Sequence, residues 1–161
     1  MNVASYRKIL KISVLLLTMP ICAFGLWSAL LMFGIVYSET SAHNMEPLIP
    51  FNAQLVTVNE WSGSDGASEQ KIYYCAADLN QVLTTMEKQR GSFTKSTNRQ
   101  GHEIYSNMIE DRSLPMQILS QAGTKDDIPD SFPSVEIRLQ SGRGTDSTGT
   151  TITVNIGWPS P

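Results

Sequence analysis

The chain has 161 residues, 12 Lys+Arg against 15 Asp+Glu, two histidines and two cysteines. Two cysteines cannot build a disulfide framework, so any soluble part must rest on an apolar core. The acidic balance excludes the basic footprint that nucleic acid requires, so no nucleic-acid partner is expected.

Arg7, Lys8 and Lys11 open the chain, and residues 12–38 then form an uncharged, predominantly apolar run. About 20 helical residues cross the ~30 Å hydrocarbon core of a bilayer, so the run is long enough to span it. Glu39 to Val58 carry no Lys or Arg. Short basic flanks stay cytoplasmic, which predicts a cytoplasmic tail over 1–11, a transmembrane anchor over 12–38 and everything later outside. Tyr6 and Tyr37 flank the run, at the level where aromatic rings favour headgroups. A cleaved signal peptide is the rival, with small residues around Val36-Tyr37-Ser38, but a signal h-region is only about 7–15 residues long. Pro20 removes one helix hydrogen bond, and Gly25 and Ala29 form a small-xxx-small pair. Cys22 follows no lipobox-like sequence.

Residues 39–161 hold nine Lys+Arg and all 15 Asp+Glu, a net charge of −6. That argues against tight docking on anionic lipid. The chain has no N-x-[ST] sequon, in keeping with a bacterial inner-membrane protein.

Residues 39–53, with Pro47 and Pro50, read as a short stalk. The region 54–161 is expected to be an extracytoplasmic α+β domain. Gln54–Trp61 is β-rich, Gly63–Gly66 turns the chain, and Gln70–Ala76 forms a second strand. Asp78 fits an N-cap with Gln81 three residues on. Leu79, Val82, Leu83 and Met86 then share one helical face. Lys88 and Arg90 suit the last turn and Gly91 the left-handed position beyond it. A helix is expected over 79–90.

Residues 92–95 and 102–109 read as a hairpin about a polar turn at 98–101; a helix over 102–110 is the alternative. Ser113 would cap a short helix with Pro115 in its first turn, ending at Gly123. Residues 124–133 are a loop. The last two strands, 134–139 and 150–158, alternate with period two, placing Val135, Ile137 and Leu139 on one face, and Ile152, Val154, Ile156 and Trp158 likewise. Residues 140–149 read as a long polar turn. The stretch 70–140 reads βαββαβ, the order of a ferredoxin-like domain.

No constellation carries chemistry, so the expected catalytic, cofactor and metal sets are all empty. Cys75 and His102 could pair as thiolate and imidazole, but a strand Cys beside Tyr73 and Tyr74 reads as a small buried apolar residue, or as an intermolecular disulfide. His43 and His102 lack partners at metal-ligand spacing. Asp126, Asp127, Asp130 and Asp146 lack EF-hand spacing. Gly142-Arg-Gly144 and Gly149 lack the Lys and the helix of a phosphate loop. Behind a membrane helix and a Gly-rich turn, Ile152-Thr-Val-Asn-Ile-Gly-Trp158 resembles the C-terminal strands of minor type IV pilins over about ten residues. That family's leader and its Glu inside the apolar run are missing, so the chain is not assigned to it.

These features lead to three expectations. The first is a non-enzymatic assembly or accessory subunit of a membrane complex, held in the bilayer through 12–38 and touching other envelope proteins. The second is a small-ligand binding or sensing domain. The third is a tethered enzyme.

Overall fold

The computed structural model describes residues 3–63, 66–99, 101–117, 132–143 and 146–159. It is an α+β chain. Its elements are α1 (Val3–Asn44), β1 (Gln54–Gly63), β2 (Gly66–Cys75), α2 (Leu79–Arg90), β3 (Thr94–Thr97), β4 (Glu103–Glu110), β5 (Ser134–Arg143) and β6 (Asp146–Pro159). They divide into two compact units, Met1–Val36 and Tyr37–Pro161.

The first unit is helical. Within α1 the described segment Thr18–Asn44 is long and apolar enough to cross a membrane, with only 6% of its most apolar window buried. A signal sequence near an N-terminus passes the same test.

The second unit is built on one six-stranded sheet of order β1-β2-β6-β5-β4-β3. Every neighbouring pair is antiparallel. Three hairpins supply the six strands, and α2 carries the chain from one edge region to the other. The expected hairpin over 92–109 is present, and the expected helix over 79–90 has the bounds of α2.

The period-two pattern decides where the core lies. Val135 opposes Ile156, Ile137 opposes Val154 and Leu139 opposes Ile152. All six are fully buried, as are Val82 and Met86 of α2. Leu79 and Leu83 pack against the same cluster. At about 1.5–3 kcal/mol for each fully buried aliphatic side chain, this block is the main source of the domain's stability. Asp78 caps α2 by accepting the Asn80 N–H at 2.6 Å, and Gly91 ends it at φ 83°.

Four expectations need correction. Residues 39–53 are not a stalk. Helix α1 runs to Asn44, Ala42 is fully buried, and Met45, Ile49 and Ala53 pack on the core. The prolines end the helix but do not free the chain, because these apolar groups gain more by packing on the sheet than by standing in water. The polar turn over 140–149 is largely strand, since β5 reaches Arg143 and β6 starts at Asp146. Ladder hydrogen bonds are made by the backbone and need no apolar side chain. Third, residues 114–117 form a helical turn, but Ser113 does not cap it with its hydroxyl, which is buried with no hydrogen-bond partner among the described residues. Asp111 accepts the Ser113 N–H instead, at 2.9 Å. Gly123 and most of the loop 124–133 lie outside the described residues.

Finally, β2 and β3 run parallel at the two ends of the β2–α2–β3 connection, with three strands between them. This differs from a split βαβ unit. The β5–β6 hairpin supplies six of the fully buried core residues and takes the centre of the sheet, which separates β2 from β4.

Candidate functional site

Among the described residues, the opposite sheet face carries no second buried apolar cluster. One row crosses four strands as a chain of side-chain hydrogen bonds. Asn59 donates to Gln70 at 3.2 Å, and Gln70 donates to Asn155 at 2.8 Å. Asn155 donates to Glu136 at 3.1 Å, and Arg138 donates to Glu136 at 2.8 Å. Asn59, Gln70, Asn155 and Glu136 are directly opposed in register. Side chains of this type bond one another across a half-exposed sheet.

On the core-bearing face the apolar character gives way to charge toward β1. Strand β2 alternates Cys75, Tyr73, Lys71, Glu69 and Ala67 toward the same side as Thr150, Ile152, Val154, Ile156 and Trp158 of β6. The end of α1 and the segment after it bring up His43 and Glu46. Lys71 Nζ lies 2.8 Å from Glu46 and 3.5 Å from Glu69. The Tyr73 hydroxyl donates to Glu46 at 3.4 Å. His43 Nδ1 lies 3.8 Å from Glu69, and its ring sits 5.3 Å from the indole of Trp158.

Burial disfavours the Lys71 ammonium, but the hydrogen bond and charge of Glu46, with Glu69 and Tyr73, outweigh it and raise its pKa. Burial and the charge of Glu46 hold the Tyr73 phenol above its ordinary value, against the opposing pull of Lys71. These shifts keep lysine charged and tyrosine neutral, the states that hold an interface together rather than those that move protons.

Beside this network lies a half-open cleft of about 400 Å³. Its walls include Glu39 and His43 from α1, Glu60 and Trp61 from β1, Glu69 from β2 and Trp158 from β6. Among the described residues no group of three His, Cys, Asp or Glu side chains could hold a metal ion.

The residues singled out from sequence are scattered. Cys75 is buried at the end of β2, its Sγ 3.7 Å from the Thr150 carbonyl. His102 is exposed beside β4, in the other half of the sheet. Gly142 sits at a bulge in β5 with φ 81°. Asp126, Asp127 and Asp130 lie outside the described residues. His43 alone reaches the cleft. Glu39, Glu60, Trp61, Glu69 and Trp158, which also line it, share no motif or spacing in the sequence. Only the period-two alternation of 60–62 and 67–71 hinted that Glu60 and Glu69 would meet in register.

No family model matches the chain, and neither does any curated protein or solved structure.

Proposed function

We propose that this chain is a single-pass, membrane-anchored envelope protein of the bacterial inner membrane. Its sheet domain lies outside the membrane and serves as an assembly or accessory subunit of a membrane complex, not as an enzyme. The observation that carries the reading is the bare apolar surface of α1. Met19, Ile21, Phe24, Leu26, Trp27 and Leu30 are all exposed. A helix that is apolar all round needs lipid or protein around it. Arg7, Lys8 and Lys11 before the run, against none in Glu39–Val58, favour an inside N-terminus.

Contact with other envelope proteins draws support from β1. It is an edge strand whose Leu55, Val56, Val58 and Trp61 are exposed. Unpaired, apolar edges are surfaces on which other chains add. The alternative, a tethered small-ligand binding or sensing domain, is favoured by the cleft beside Trp61 and Trp158.

The test is a mild-detergent pull-down of the full chain with mass spectrometry. The assembly reading expects one stoichiometric membrane partner. A clean monomer carrying a bound metabolite would overturn it in favour of the alternative.

A further inference from the structure

We infer that the edge strand β1 pairs antiparallel with β1 of a second copy of this chain, about a two-fold axis at Asn59, joining two six-stranded sheets into one. The inference rests on the reading of β1 as a contact edge and names what adds to it.

The two edges of the sheet differ. β3 has only four residues, and its Lys95 is held by Glu103 at 2.6 Å and lies over the Tyr105 ring. A short edge strand carrying lysine is closed to further strands. β1 has ten residues without Lys, Arg or Pro, and among the described residues it pairs with β2 alone. Leu55, Val56 and Val58 are exposed on it. A bulge between Leu55 and Thr57 breaks the ladder at one end, and residues 57–63 then run in unbroken register with β2. That regular run is the part of the edge that a second strand can extend.

The strand that fits it is its own copy. Directly opposed residues of an antiparallel pair share a face, so a two-fold axis must pass through one residue of the run. At Asn59 the pairs are Thr57 with Trp61, Val58 with Glu60, and Asn59 with itself. Glu60, the one charged residue of β1, then meets Val58 and not a like charge. An axis at Glu60 would set two carboxylates opposite one another, which is destabilising. An axis at Val58 would draw the bulged Val56 into the pairing, and one at Trp61 would leave Val58 beyond the end of the partner strand. The axis at Asn59 also continues the polar row. Asn59 ends that row at the sheet edge, donating to Gln70 at 3.2 Å, and its copy sets a second amide directly across from it. Adding β1 to β3 of a next copy would be head-to-tail and grow an open filament. The closed edge of β3 opposes that, whereas the self-paired edge is complete after two chains. One strand pair is a small interface, under about 1,200 Å², so the dimer should form with rising concentration and exchange its copies.

The test uses the full chain in detergent with Cys22→Ala, which leaves the buried Cys75 as its one native thiol. Asn59→Cys is oxidised in parallel with Thr97→Cys, which lies on the exposed β3 edge. Directly opposed strand residues lie within disulfide reach, so the proposal expects the Asn59→Cys chain to form a linked dimer at least about tenfold faster. Copies carrying Thr57→Cys and Trp61→Cys should link to one another on mixing more than either links to itself, which reads the register. As a second measurement, Asn59→Lys and Asn59→Asp chains should each be monomeric by light scattering, because like charges then face one another across the axis. Their equimolar mixture should dimerise, and both should melt near the parent. Linking at residue 59 no faster than at residue 97, or no gain on mixing the two folded charge variants, would overturn the inference. Such a failure beside one stoichiometric foreign partner in the pull-down would leave the assembly reading standing, and a dimer with no foreign partner would do the reverse.

Discussion

Ile137 and Val154 stand directly opposite one another at the centre of the sheet, and both are fully buried. One step along, Arg138 opposes Thr153 on the other face. The pair fixes which face of the domain is core. Replacing Ile137 or Val154 with Asp would bury an unpaired charge and cost several kcal/mol against a total of roughly 5–15. Thr153→Asp should be mild, because the new carboxylate would face Arg138 across the strands. Thermal melting of the full chain in detergent separates the two outcomes. Equal damage from Thr153→Asp and Val154→Asp would mean that both faces are covered.

Gly149 in β6 has φ 71°, and an added Cβ would sit 2.4 Å from the Cys75 carbonyl oxygen and 2.7 Å from the Tyr74 hydroxyl. Gly91 after α2 has φ 83° but open space around it. Gly91→Ala should cost only the backbone strain of its φ 83°, ψ −166° conformation, an extended positive-φ region used essentially by glycine, about 1–3 kcal/mol. Gly149→Ala adds a clash with backbone and should lower the melting temperature clearly further.

Asn155 sits in the middle of the polar row, accepting from Gln70 and donating to Glu136. Asn155→Ala removes both bonds and should cost about 1–2 kcal/mol. Gln70→Ala should cost less when Asn155 is already absent. A double-mutant cycle showing strict additivity would mean that the row is not coupled.

Asp111 is subject to opposing effects. Burial raises its pKa, but the hydrogen bonds from the Ser41 hydroxyl and from Ser113 prevail and lower it. A lowered folded value stabilises the domain above the ordinary Asp pKa of 3.8. That contribution is lost as pH falls through the lower folded value. Asp111→Asn should therefore flatten the acid limb of stability below about pH 4. Lys71 and Tyr73 have raised values. Their contribution is complete below their ordinary pKa values of 10.5 and 10.0 and is lost as pH rises through the raised ones. Lys71→Met should accordingly weaken the alkaline loss. Melting curves across pH read both limbs.

Local signals carried far in this chain. The cap at Asp78, the face from Leu79 to Met86 and the alternation from Val135 to Trp158 each name their own element, because the information lies within one turn or one pleat. Strand order does not lie there. Nothing near Val135 or Ile152 says that their hairpin inserts between β2 and β4; that follows from which face most needs burial in the whole domain. The segment 39–53 was misread for the same reason, since Ala42 and Ile49 look unremarkable until a sheet is placed against them. The cleft gathers Glu39, Glu60, Glu69 and Trp158 from four elements, and only the assembled register brings them together.

A membrane-held domain requires that residues 12–38 remain attached and lie in a bilayer. The direct measurement is fractionation of cells expressing the full chain, with a carbonate wash and N-terminal sequencing of the recovered protein. The anchor predicts that the mature chain retains residues 12–38 and stays in the washed membrane pellet. Soluble protein whose sequence begins at Glu39 or His43 would contradict it and show that the apolar run is a cleaved signal.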